Sequence, residues 1–257
     1  MPTSLLPHLG PPGLPVASCA ALWATDVLAG RTPPEEWPDR LPETLDAVTP
    51  ELAARSPELL AAWRDLGEHQ VIAALPSPGR PGLVPLGRAL IEAGSSAAVG
   101  VLVAPSLGDG LVLLASEFGT SQDGGVLLDA VRVDCPPVPA ARVEMHDRRS
   151  VQRTLTEALR AGTEHLESIA APPVWTGAGA GGLSPSSAPE LPAGVPGEMV
   201  DLLERAAAVA AATTAGLATA SASLASTTGR ARSLNRLRDA ALDALEGATM
   251  AAGRSLR

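Results

Sequence analysis

The chain reads as an α+β protein: mostly helical, with a small antiparallel β-meander packed by helices and a C-terminal Ala-rich helix or helical hairpin. Three observations predict this. Short helical patterns broken by proline fill the first third, three Val/Leu-rich runs separated by Gly/Asp turns follow, and an uncharged Ala/Ser/Thr tract of residues 206–229 lies near the end. The boundaries divide a Pro-punctuated helical region (1–82), the sheet with flanking helices (83–171), a Pro/Gly/Ser-rich linker (172–197) and an Ala-rich helical region (198–257).

In the first region "ASCAALWATDVLAG" (17–30) is helical in period and stops at Gly30. "TPEL" and "SPELLAAWRDLG" each open with a cap residue, Thr49 or Ser56, then Pro and Glu, the order that starts a helix. Leu59, Leu60, Trp63 and Leu66 form an apolar stripe, so these are packing helices with acidic outer faces. "PLGRALIEAG" (85–94) predicts another short helix stopped by Gly94. "AAVGVLVAP", "GLVLLASEF" and "GVLLDAVRVD" then read as strands. Connections of about six residues are too short for a parallel crossover, so the strands form a meander. The first two are apolar on both faces and belong at its centre; Asp129, Arg132 and Asp134 mark a half-exposed third, and "ARVEMH" suggests a fourth.

Residues 147–171 predict the clearest helix, with Val151, Leu155, Leu159, Leu166 and Ile169 on one face and Arg153, Glu157, Arg160 and Glu164 on the other. It is expected to lie across the sheet. The stretch 172–197 has a linker's composition. Beyond it, Leu203, Ala210, Leu217, Leu224 and Ala231 recur every seventh residue beside a second row that starts at Val200, which describes a narrow seam of small side chains. Gly229 is the expected break before a second amphipathic helix containing Leu234 and Leu237; the alternative is one long helix over about 198–252. Its Arg230, Arg232, Arg236 and Arg238 precede Asp239, Asp243 and Glu246, an order that opposes the helix macrodipole. That order becomes less unfavourable in mid-helix or opposite an acidic partner.

Composition removes several chemistries. All 19 basic residues are Arg, with no Lys and no Tyr, a bias expected of a GC-rich genome. A Walker A loop, a protein-kinase ATP site and a pyridoxal Schiff base all need Lys, so none fits. A net charge of −9 argues against nucleic acid as partner. The 206–229 tract has few large apolar side chains among many Ser and Thr, which disfavours membrane insertion. Two cysteines, Cys19 and Cys135, are too few for a zinc site and read as reduced cytoplasmic thiols. "VASC" before Cys19 resembles a lipidation site, but the preceding residues have no basic charge and five prolines.

Few residues offer a site. "GAGAGG" (177–182) has dinucleotide-loop spacing but lies in linker composition, and "GSSAA" (94–98) is a degraded nucleophile elbow, with Ser96, Asp129 or Asp134, and His146 in hydrolase order. The densest polar cluster is Glu144, His146, Asp147, Arg148 and Arg149. On a strand Glu144 could orient His146, while Asp147 could instead cap the next helix. His69 and His165 read as solvated helix residues and Trp23, Trp37 and Trp63 as core anchors; Trp175, in the linker, is the odd one out, with a docking point for a partner as its minority reading. No cofactor and no metal are expected. The reading favoured is a non-enzymatic cytoplasmic adaptor or scaffold that binds protein, itself or another helical protein, through the seam Val200, Leu203, Leu217, Leu224, Leu234 and Leu237. The alternatives are a small-molecule or anion-binding enzyme centred on His146, Arg148 and Arg149, and membrane association through the C-terminal helix.

Overall fold

A computed structural model describes residues 13–42, 45–77, 80, 82, 98–119, 123–168, 190–218 and 224–257, with side chains of the last segment from residue 228. The predicted helix at 85–94, "GAGAGG", Ser96 and Trp175 lie outside the described residues. The chain is α+β. Helix α1 is Val16–Leu28, a 3-10 turn follows at Pro34–Arg40, and β1 (Ala47–Val48), α2 (Pro50–Asp65) and β2 (Ile72–Ala74) come next. Strands β3 (Ala98–Ala104), β4 (Asp109–Phe118) and β5 (Gly125–Asp134) coincide with the three Val/Leu runs. The five-stranded sheet has the order β1-β5-β4-β3-β2.

β3 to β5 form the expected antiparallel meander, and β2 pairs antiparallel with β3. Two strands come from the region that sequence reads as purely helical, because runs of two and three residues are too short to show a period of two. β1 runs parallel to β5 through Ala47 and Val48 opposite Leu127 and Leu128. "ARVEMH" is not a fourth meander strand. Residues Ala140–Glu144 form a short helix, α3. Pro136, Pro137 and Pro139 precede it and have no N–H to give a ladder, so the chain leaves the sheet. It lays Val138 and Val143 over the sheet face formed by Ile72, Ala74, Val101, Val103 and Val112.

The other face of the sheet carries α1, and here expectation fails in an informative way. All thirteen residues of α1 are buried, so it has no acidic outer face. Its only charge, Asp26, is held by Arg31 Nε at 2.6 Å and Thr32 Oγ1 at 2.7 Å. Gly100 makes this packing possible: a Cβ there would stand 2.4 Å from the Cβ of Ala17. α2 is one helix rather than two. Thr49 caps it, its hydroxyl accepting the Leu52 N–H at 3.2 Å, and it runs on through Pro57 with Ser56 buried inside it. Trp23, Trp37 and Trp63 are all in the core. The Trp37 indole donates to Ala20 O at 3.0 Å and that of Trp63 to Asp109 Oδ2 at 2.8 Å.

Three long helices complete the molecule: α4 (Arg148–Ser168), α5 (Gly197–Ala218) and α6 (Leu224–Ser255). Gly229 lies inside α6 and does not break it; residues 219–223, between α5 and α6, lie outside the described residues. A Cβ on Gly216 would meet Leu234 and one on Gly194 would meet Leu256, which makes α5 antiparallel to α6. Gly162 likewise faces Leu237 and Gly247 faces Val151, so α4 is antiparallel to α6 as well. α4 therefore packs along α6 instead of across the sheet. α4 and α5 scarcely touch, and the three helices form an open layer with α6 in the middle.

One hydrophobic core runs from α1 through the sheet into α4, α5 and the second half of α6, crossing the boundaries at 82 and 198. The seam residues face this chain's own helices. Leu203 and Leu234 are buried, Val200 packs against the core, Leu237 lies against Gly162, and Leu217 is half-buried. The side chain of Leu224 is outside the described residues. No helix among the described residues is long and apolar enough to cross a membrane.

Candidate functional site

The cluster Glu144 to Arg149 becomes the junction between α3 and α4, seated on the end of α6. Asp147 caps α4: its Oδ1 accepts the Ser150 N–H at 3.0 Å. That bond, more than any other contact, holds the Asp147 carboxyl below the usual carboxylate range. Arg148 reaches across to Glu198 at the start of α5, 3.2 Å away. Glu144 and Arg149 are exposed. Arg254 of α6 donates to the carbonyls of Val143, Glu144 and His146, which closes the end of α3.

His146 does not share a strand face with Glu144. Its half-buried ring lies on Gly247, where a Cβ would stand 3.4 Å from Nδ1. Burial lowers its pKa, Arg254 and Arg142 lower it further, and Asp243 partly offsets them. The imidazole is therefore neutral near pH 7.

Asp243 leads to a group that sequence reasoning misses. Glu246 is fully buried, yet its Oε1 accepts the Leu75 N–H at 2.7 Å and Arg80 Nη1 at 3.2 Å. Arg80 Nη1 also donates to Leu75 O at 2.7 Å, and Nε donates to Asp243 Oδ1 at 2.9 Å. Desolvation works against the Arg80 charge, but Glu246 and Asp243 outweigh it and raise its pKa above the ordinary value. Gly82, at φ +80°, passes so close that a Cβ there would meet Glu246 Oε1 at 2.8 Å. No periodicity could reveal this clasp, because Arg80 sits in a Pro/Gly turn and Glu246 among small helix residues.

Two further polar residues of the core, Glu68 and Gln70, hold backbone in the same way. Glu68 accepts the Ser106 N–H at 2.8 Å and the His69 N–H at 3.0 Å, and Gln70 donates to Met250 O at 2.7 Å. Arg132 and Trp63 converge on Asp109. Asp129 accepts the Thr49 hydroxyl at 3.0 Å and is not joined to His146. Burial pushes the Cys19 thiol up to about 12; burial, then Asp109 and Asp134, push Cys135 up to about 11, so neither is a thiolate at neutral pH. Among the described residues no group of three His, Cys, Asp or Glu is placed to hold a metal ion. His165 is an exposed helix residue, whereas His69, exposed as well, lies in the coil between α2 and β2 and not on a helix. What this arrangement does is clasp the turn after β2, the α3–α4 junction and α6 together.

Residues 17–146 match the family model described as Rv1486c-like protein, N-terminal domain, which covers just over half of the 257 residues. No curated protein and no solved structure matches.

Proposed function

The chain belongs to the Rv1486c-like protein family, and from that premise we propose that it is a non-enzymatic, cytoplasmic adaptor that binds protein through the layer formed by α4, α5 and the first half of α6. One observation carries this reading. The hydrogen bonds and ion pairs that tie α6 to the matched 17–146 region come from Asp243, Glu246, Met250 and Arg254, at Gln70, Leu75, Arg80, Val143, Glu144 and His146. Ahead of Asp243 the layer covers only itself. Leu166, Leu217 and Leu237 stand half-buried there, as apolar groups at a partner's edge do.

The anion-site alternative draws less support, because Asp147 is engaged as a cap, Arg148 by Glu198, and His146 by packing on α6. The net charge of −9 favours a protein partner over a phosphate backbone. The test uses the full chain in its native host, with a photo-crosslinking residue in place of Glu164 on α4, Ala212 on α5 or Glu58 on α2, all exposed. Adducts with protein are expected from the first two positions. Adducts from Glu58 alone, or from none of the three, would overturn the proposal.

A further inference from the structure

We propose that the outer face of α4 pairs with the same face of a second copy, antiparallel, about a two-fold axis that crosses the stripe between Glu157 and Arg160. This rests on the reading of the helical layer as a binding surface and names one occupant for it. Arg149, Arg153, Glu157, Arg160, Glu164 and Glu167 are exposed along one side of α4 and, among the described residues, make no ion pair. Antiparallel helices related by that axis place Arg153 opposite Glu164 and Glu157 opposite Arg160, and they bring Arg149 toward Glu167. Every charge on the stripe then meets its opposite. An isologous contact requires this kind of self-complementarity.

The helix dipole points the same way. α4 has no acidic residue in its first turn and runs from Arg148, Arg149 and Arg153 to Glu164 and Glu167, which is the unfavourable order. An antiparallel copy brings each Arg-rich half beside an acidic half and opposes the two dipoles. The fold already uses this solution on the other side of the helix: antiparallel α6 runs its Arg230, Arg232 and Arg236 alongside the Glu164 and Glu167 end of α4. Thr154 and Ala161 border the stripe, are exposed, and are small enough for close approach of the backbones. Pairing by exposed charges is weak and screened by salt.

Sedimentation velocity of the purified full chain, over a concentration series at low and high salt, tests this. The wild type is expected to dimerise and to dissociate as salt rises. Arg153→Glu alone, and Glu164→Arg alone, each put like charges together at two symmetry-related places and should weaken the dimer by about tenfold. The double variant Arg153→Glu/Glu164→Arg restores opposite charges and should return to within about threefold of wild type. A chain that stays monomeric at every concentration, or a double variant no tighter than the singles, overturns the pairing. Photo-crosslinks from Glu164 and Ala212 to other proteins would still be seen in that case, so the two proposals fail separately.

Discussion

The two halves of α6 differ in surroundings as they do in composition: the first carries four Arg and two Ala, the second one Arg and six Ala. From Ala244 to Ala252 every residue is buried, and the peptide and side-chain groups of this half hold Gln70, Leu75 and Arg80. From Thr228 to Ala240 only Ser233 and Leu234 are buried. The difference shows that the matched N-terminal region is not closed by its own residues. α1 is buried on all sides because Ala244, Ala248, Ala251 and Ala252 join its core from the far end of the chain. Small side chains let backbones approach, and interiors at crystal-like density gain dispersion contacts from that closeness. The front of the helix, with only Ala225 and Ala231 before Ala240, meets α5 through Leu234 and α4 through Leu237.

The strongest way to break this contrast is Arg80→Ala. It takes the Arg80 guanidinium away from the Glu246 carboxylate, which has zero exposure. Removing one member of a buried ion pair costs about 3–5 kcal/mol. The urea midpoint should fall accordingly with the slope unchanged. A loss below about 1 kcal/mol would mean that the second half of α6 is not clasped to the turn after β2.

This half of the molecule was also the less legible one. β3, β4 and β5 announce themselves by length and flanking glycines, and Thr49 and Asp147 cap helices where local sequence places them. β1 and β2 are defined only by pairing with distant strands. Ser56 resembles a cap, but the helix begun at Pro50 already runs through it, and the lost hydrogen bond at Pro57 is tolerated within a packed helix. Gly229 resembles a stop, yet a single glycine costs a helix only about 1 kcal/mol, less than continued packing returns. The Glu144 to Arg149 cluster was visible as a cluster. The partners that define it, Arg254, Gly247 and Asp243, lie about a hundred residues away.

A second, smaller contrast is titratable. His146 sits where α3 and α4 meet the buried half of α6, with Arg142, Arg254 and Asp243 as its charged surroundings. Its folded pKa lies below the ordinary 6.5, so between those two values the unfolded chain binds more protons than the native one. Stability is therefore lost as pH falls below about 6.5. Asp109 and Asp147 also have lowered values, but their contribution is present above the ordinary carboxylate range and disappears only in more acidic solution. Urea midpoints between about pH 7.5 and pH 5.5 should thus decline in wild type and decline less in His146→Asn. Equal slopes in the two proteins would place the pH response elsewhere.

The smallest effect sharpens the comparison from the other end. Arg232 and Arg236 are exposed on the first half of α6, and neither makes an ion pair among the described residues. Substituting Arg232 by Ala removes no buried area, cap or paired charge; alanine also has the higher helix propensity. Stability should stay within about 0.5 kcal/mol of wild type. Any change should be a slight gain, because one positive charge fewer in the N-terminal half relieves the opposition to the helix dipole. A loss of 2 kcal/mol or more, by the same urea measurement that reports on Arg80, would show this half to be packed against something in the isolated chain after all, and the division of α6 into a buried and a free half would fail.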